Sequence, residues 1–436
     1  HVRSRRQRQM CIRDSFEPEV VRTNEGKRMM TMNLVQLFLM MIQSSFFNHI
    51  RVPPASFHAG GFFMKQTIII GAGVMGLSIA RQLSSQNRHI RIIDRYTPRM
   101  NASYAAGGML GAQNEFFEAN PLYHLAMESR AMMPEVAADL EQETGINIEY
   151  QKYGLIKVAS QKQDIQAVEA QFQFLHSQDH TIKQLSKYAL KQRFPKLDSN
   201  QSAAFKIQDD GQINANTYTK ALIASVIKRD YIELMTQTEV LKVERHHNGY
   251  TVITSKGNFS ADELIIAAGA WSGTLLQQLH IQLPTQPVKG DVKLIASCYK
   301  GLKETIFNMN GCYIVPKLPN RFLIGATSDF DSWSIENDAN NLSWLDQESL
   351  SMIPQLKNHH VIKTWTGIRP ITPNQEPIMG EVEDHLYVST GHYRNGILLS
   401  PIAGTLMAKL IDGHAKAKEQ LTPFSPKICL LYTSDA

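Results

Sequence analysis

A chain of 436 residues, 43% hydrophobic and 19% charged, is long enough for two domains around a large core, and this composition excludes wholesale disorder. The net charge of +5 sits in residues 1–63, which hold nine Lys/Arg and four Asp/Glu, so the balanced remainder offers no electrostatic footprint for nucleic acid. Four cysteines without C-x-x-C spacing, no H-E-x-x-H and no G-x-S-x-G give no support to a metal site or serine hydrolysis and point to a reducing, cytoplasmic compartment.

Residues 1–63 read as a leader outside the fold. Arg3–Ser15 and Cys429–Ala436 resemble translated sequencing-adaptor read-through, and Met64 stands where an initiator would. A competing reading makes the apolar run Asn33–Phe47 a secretion signal. That run is too short to span a bilayer comfortably and lacks a clear small-x-small cleavage site behind it. No other run approaches transmembrane length, so no stable membrane insertion is expected.

Thr67–Gly76, T-I-I-I-G-A-G-V-M-G, reads as a buried strand entering a glycine turn and the helix Val74–Gln82. Gly71 permits the tight turn, Gly73 lets the backbone approach a diphosphate, and Gly76 lets helix and strand pack closely. The N–H groups and partial positive charge of the helix N-terminus favour the anion. A second β-like run, His89–Ile93, ends at Asp94, where the unit predicts a carboxylate for an adenosine ribose. That carboxylate does not separate NAD from FAD, and a glycine turn without ligand is the plainer alternative.

Ser103–Gly111 is too rich in Gly and Ala for an ordinary surface loop; it lets the backbone approach a ligand or starts a tight helix against the sheet. Pro121–Gly145 reads as a helix that Pro134 breaks, with Gly145 as its C-cap. Ile146–Tyr150 and Leu155–Val158 alternate like paired strands across Gly154. Asn214–Ile227 is helical, and Glu239–Val243 and Tyr250–Thr254 form a hairpin at Asn248-Gly249. Glu263–Ser272 reads as a further parallel strand ending in small residues. Pro287–Thr327 is strand-rich, with Lys289-Gly290 and Asn320 marking turns. Trp365–Gly413 runs through strands to a glycine-flanked loop and a helix from Ile397 to about Ile411. With no repeat or linker, the domains interleave.

Four blocks, G-A-G-V-M-G, A-A-G-G-M-L-G-A, the pair G-I-R-P and G-H-Y-R-N-G-I-L-L-S-P, and A-A-G-A-W-S, resemble the D-amino-acid oxidase superfamily of FAD enzymes. Within it the resemblance is nearest to the glycine oxidases of the thiamine-thiazole pathway, over about residues 64–412. It implies an α/β fold in which a Rossmann-like FAD-binding domain (64–148, 202–285 and 366–413) interleaves with a mainly antiparallel β-sheet substrate domain (149–201 and 286–365). Residues 414–436 are expected as a tail.

The resemblance carries roles with it. FAD is held non-covalently, since no cysteine falls in a flavin-contact block, by Gly71, Gly73, Val74, Met75, Gly76, Asp94 and Arg95 at one end. Ala102, Ser103, Gly107, Gly108 and Met109 follow along it, with Val240 at the adenine and Gly269 between. His392, Tyr393, Arg394, Asn395, Gly396, Ile397 and Leu398 bind the flavin, where the helix N-terminus favours the reduced form. Arg369 anchors the substrate carboxylate, for which its planar fork suits a bidentate grip. Arg394, Tyr313 and Met109 lie beside the substrate. The plainer alternatives are a structural ion pair for Arg369, capping for the 391–396 loop, and core packing for Tyr313 and Met109. Gly311 stands where the glycine oxidase pattern has histidine, and Ser328 where it has methionine.

The implied reaction is oxidative deamination of glycine or another small amino acid, with hydride passing from Cα to flavin N5 and dioxygen reduced to hydrogen peroxide. The imine product would serve thiamine-thiazole synthesis, and a homo-oligomer is expected. Orientation and a neutral amine matter more than a strong base, so no acid/base dyad is needed. A D-amino-acid or sarcosine oxidase or dehydrogenase is the rival on this fold. An NAD-linked dehydrogenase would need a second mononucleotide-binding half soon after Asp94, where this chain turns to a Gly/Ala loop. A non-catalytic FAD-binding subunit is the remaining class, and Arg369 argues against it.

Overall fold

A computed structural model of the chain describes residues 64–83, 87–96, 101–159, 161–194, 203–317 and 319–431. The expected leader 1–63, including the apolar run at 33–47, and residues 432–436 lie outside these. Among the described residues no helix is long and apolar enough to cross a membrane.

The apolar β-branched run after Met64 forms the strand Lys65–Ile70, whose last four residues are buried. It is central to a six-stranded sheet ordered Ile378–Glu383, Leu386–Thr390, Glu263–Ile266, Lys65–Ile70, Arg88–Ile93, Ile232–Met235. Every neighbouring pair in that sheet is parallel except the edge strand Ile378–Glu383. Helix Val74–Gln82 and the long helix Gly396–Ile411 pack together, Gly404 letting the backbone of Ser78 come close. These helices cover the face that carries Ile69 and Ile92, and the three-stranded sheet Val240–His246, Gly249–Thr254, Gly257–Ala261 covers the face that carries Ile68 and Ile70, which is why the strands read as continuous apolar runs.

A nine-stranded sheet, antiparallel except where Thr305–Asn308 runs alongside Leu155–Ala159, forms the second layer. Its long members, Gln286–Ala296 and His360–Ile371, pair along their whole length. The boundaries expected at 202 and 366 cut through this sheet: Ala203–Ile207 pairs with Leu155–Ala159, and the strand ending at Ile371 belongs here. The α/β architecture with an interleaved antiparallel sheet is the expected one.

Several local readings change. Helix Pro121–Thr144 runs through Pro134 without breaking and ends at left-handed Gly145 (φ +74°). Packing overrides the local preference: Met133 and Leu140 are buried, and Ser129 Oγ donates to Leu398 O at 2.6 Å. Residues 146–150 are not a strand; Leu155–Ala159, buried on both faces, finds its partners far away in sequence. Lys289-Gly290 is no turn but lies mid-strand in Gln286–Ala296. The hairpin Val240–His246/Gly249–Thr254 forms, with its turn one residue earlier than expected. The expected tail packs on the body, with Ala417, Leu421 and Phe424 buried.

Pro134 is exposed and contributes no buried surface, yet it removes one intrahelical hydrogen bond. Pro134→Ala should raise stability by about 1–3 kcal/mol in urea unfolding; an unchanged midpoint would show that the helix has already adapted to the ring.

Candidate active site

A cavity of about 350 Å³ opens at the carboxyl ends of the parallel strands. Ile70-Gly71, Ile93-Asp94, Ala267-Ala268 and Ser389-Thr390 all line it, at the edge where open α/β sheets bind ligands.

At one end lies the glycine turn. Gly71 has φ +113°, and a Cβ there would lie 2.3 Å from Ala267 O. A Cβ on Gly76 would lie 2.0 Å from Gly71 O, so Gly76 serves packing and does not line the cavity. Gly73, Val74 and Met75 do line it. The helix has no side-chain cap at Gly73, and its Val74 N–H donates to Ser103 Oγ at 3.0 Å. Asp94 accepts from Ala72 N–H at 2.7 Å and Tyr96 N–H at 2.8 Å, fixing the turn while facing the cavity; burial raises its pKa. Arg95 lies over the rings of Trp271 (4.3 Å) and Tyr96 (4.5 Å). This aromatic wall was not foreseen, although Trp271 belongs to A-A-G-A-W-S.

Ala102, Ser103, Gly107, Gly108, Met109, Val240 and Gly269 line the middle. Gly108 has φ +77°, and a Cβ there would meet Ile213 O at 2.1 Å. Ala102–Ala105 is a one-turn helix, and Ala105, Ala106, Gly107, Gly108 and Met109 line the cavity.

His392, Tyr393, Arg394, Gly396 and Ile397 bring the helix Gly396–Ile411 to the cavity, its N-terminus uncapped by the Asn395 side chain. Asn395 and Leu398 do not line it; Leu398 is core, its carbonyl held by Ser129. Burial pushes the His392 imidazole down to about 3, and its Nε2 has no partner. Tyr393 sits in the left-handed region (φ +41°) with its ring beside Arg369 (5.3 Å) and Arg394 (5.4 Å).

Arg369 occupies the far end. Its Nη2 donates to Thr327 O (2.5 Å), Ser328 Oγ (3.1 Å) and Lys289 O (3.4 Å), and its buried Nε is unpartnered. A Cβ on Gly290 would lie 2.8 Å from that Nη2, so the mid-strand glycine exists to make room for the guanidinium. Burial and the neighbouring Arg394 lower the Arg369 pKa, and among the described residues no carboxylate lies within 4 Å. The Tyr313 hydroxyl is enclosed by Gly107 and Gly325, whose Cβ atoms would lie 2.9 and 2.7 Å away. Burial pushes this phenol up to about 12, so it is neutral. Arg394 has Glu115 Oε1 at 3.6 Å; burial works against its charge, but Glu115 and Tyr393 hold its pKa above the ordinary value. Arg369, Arg394, Tyr313 and Met109, separated by up to 285 positions, thus share one cavity with the glycine turn. Glu115 had no motif to reveal it.

The shape and donors fit FAD: a glycine turn for the diphosphate, Asp94 beside it, and a second helix N-terminus with unpartnered polar atoms at the other end.

Residues 66–410 match the family described as DAO, FAD dependent oxidoreductase. The chain is 36% identical over 360 residues to glycine oxidase of Geobacillus kaustophilus strain HTA426, covering 82% of this chain and 95% of that one. The crystal structure of Bacillus cereus ATCC 14579 glycine oxidase superposes with a TM-score of 0.73 at 33% identity, covering 82% and 97%. A bifunctional protein ThiO/ThiG of Trichormus variabilis strain ATCC 29413 / PCC 7937 is 31% identical over 80% of this chain and 52% of its own length.

His392 gives a pH signature. Its pKa falls from 6.5 unfolded to about 3 folded, so below pH 6.5 the unfolded chain binds a proton that the folded one refuses. Stability should therefore drop as pH falls from 6.5 towards 3, by about 2 kcal/mol at pH 5 from this group. Urea unfolding of His392→Gln at pH 7 and 5 should show a drop smaller by that amount; an identical drop would remove His392 as the cause.

Proposed function

Because the chain belongs to the DAO family of FAD-dependent oxidoreductases, we propose that it oxidises glycine or a similarly small amino acid at the bond between Cα and the amine. The observation that carries this reading is the single cavity joining the glycine turn to a buried guanidinium without a carboxylate. A buried, unpaired charge is costly, and a ligand carboxylate offsets that cost. For the same reason a non-catalytic FAD subunit is the weaker reading.

Arg369 holds the α-carboxylate through its outward-facing donors, its inner Nη2 being tied to Thr327 and Ser328. Gly290 fixes how far the guanidinium sinks, and hence where Cα lies. Tyr313, neutral and enclosed, presents a hydroxyl without competing for protons. Met109 and the apolar lining exclude water and favour the neutral amine. When bound, FAD supplies a two-electron acceptor for the Cα hydride and returns the electrons to dioxygen as hydrogen peroxide. Gly71, Gly73–Gly76, Asp94, Arg95, Ala102, Ser103, Gly107–Met109, Val240, Gly269 and His392–Leu398 are proposed to hold it, Gly76, Asn395 and Leu398 through the backbone framework alone. The sum for glycine is glycine, dioxygen and water giving glyoxylate, ammonia and hydrogen peroxide.

Resemblance to ThiO/ThiG supports a role in supplying imine for thiamine-thiazole synthesis. Unpaired Cys298 and Cys312 fit a reducing, cytoplasmic setting, and exposed Phe330, Trp333 and Ile335 fit a homo-oligomer. Two interleaved domains, one around each large sheet, complete the reading.

Glycine added to the FAD-loaded protein should release peroxide. Arg369→Met should keep the yellow cofactor but lose about 10²–10³-fold in kcat/KM, the worth of a charge-assisted carboxylate grip. Full turnover in that variant would refute the anchor.

A further inference from the structure

Two strands of the nine-stranded sheet bear the residues of the substrate end, and each also grips the Gly/Ala loop or its support. On Tyr313–Lys317 the grip is Lys317, whose Nζ donates to Ile213 O at 2.7 Å. On His360–Ile371 it is Trp365, whose indole Nε1–H donates to Ala105 O at 3.0 Å. Side chains two or four positions apart on a strand share a face, so Lys317 stands on the face of Tyr313, and Trp365 and Gly367 on the face of Arg369. Gly367 clears the way for the second grip, since a Cβ there would lie 2.7 Å from Ala105 Cβ.

Both grips act on the cavity wall. Ile213 brackets Gly108: its N–H donates to Gly108 O at 2.8 Å, and its carbonyl, the one Lys317 holds, is what a Cβ on Gly108 would meet at 2.1 Å. Met109, the next residue, pairs with Gln212, so the Ile213 peptide fixes where Gly108 and Met109 face the cavity. Lysine ordinarily keeps its ammonium in water, whereas this one aims it inward at the carbonyl of a fully buried residue. At the other end of the same strand the Tyr313 hydroxyl lies against Gly107, whose Cβ would come within 2.9 Å of it.

We propose that Lys317 and Trp365 are positioning residues of the reaction: by tying residues 105–109 to the two strands that bear Tyr313 and Arg369, they set the spacing between bound cofactor and substrate Cα. This rests on Arg369 as the carboxylate anchor and on the Gly/Ala loop as part of the FAD site. Neither Lys317 nor Trp365 lines the cavity, so neither touches the reacting atoms. Cutting a tie leaves the carboxylate grip in place and lets the two reactants drift apart, and a misplacement of about 1 Å can cost about 10²-fold in rate.

The test takes two readings from FAD-loaded protein: the glycolate Kd from the visible flavin band, and the rate at which saturating glycine bleaches that band without oxygen. In Lys317→Met and in Trp365→Phe the bleaching rate should fall about tenfold or more, with the glycolate Kd within about threefold of wild type. Lys317→Arg, which restores a donor, should bring the rate back to within about threefold of wild type. A smaller fall in one variant overturns the part given to that residue, and a smaller fall in both overturns the proposal. A glycolate Kd that weakens in step with the rate, or loss of FAD, assigns the residue to the framework and overturns its positioning role. A rate that Lys317→Arg leaves low overturns the part given to the Lys317 donor. A wild-type band that glycolate does not perturb or glycine does not bleach overturns the anchor reading together with the proposal.

Discussion

A guanidinium buried without a carboxylate constrains the rest of this fold. Arg369 sits in a gap that exists because residue 290 has no side chain, and it is tied from behind by Thr327, Ser328 and Lys289. Those ties satisfy one nitrogen and leave Nε without a partner. The strand pairing that sets Val288 opposite Arg369 therefore does more than build a sheet: it aims a desolvated positive charge into a cavity.

The parallel sheet supplies the opposite wall. Its strands end together, so their terminal residues and two helix N-termini, at Val74 and Gly396, converge on one elongated space. Each N-terminus contributes partial positive charge, suited to a diphosphate at one end and to an electron-rich ring at the other. Asp94 stabilises the first turn through two backbone N–H groups, and Thr390 Oγ1 ties the neighbouring strand ends by donating to Gly269 O at 2.8 Å. The geometry is thus held by backbone contacts rather than by long flexible side chains.

What could be read from sequence is what local chemistry decides. The glycines at 71, 73 and 76 announce a turn because their neighbours demand it, and the helix from Val74 follows to the residue. Gly290 was misread because its reason lies 79 positions away, in the side chain of Arg369. Pro134 was misread because distant packing outweighs one lost hydrogen bond. Residues 146–150 alternate like a strand but find no strand partner beside Leu155–Ala159, which pairs with segments about 50 and 150 residues on. Glu115 belongs to no motif, and only the fold brings its carboxylate to 3.6 Å from Arg394.

The central claim is that the space left by Gly290 sets Arg369 to receive a carboxylate directly beside the bound flavin. Titrating FAD-loaded protein with glycolate, a carboxylate that lacks the amine, tests this through the visible flavin band. The account predicts a saturable perturbation of that band in the wild type. In Gly290→Val, whose side chain would meet the guanidinium, Kd should weaken tenfold or more. An unperturbed band, or equal Kd in the two proteins, would contradict it.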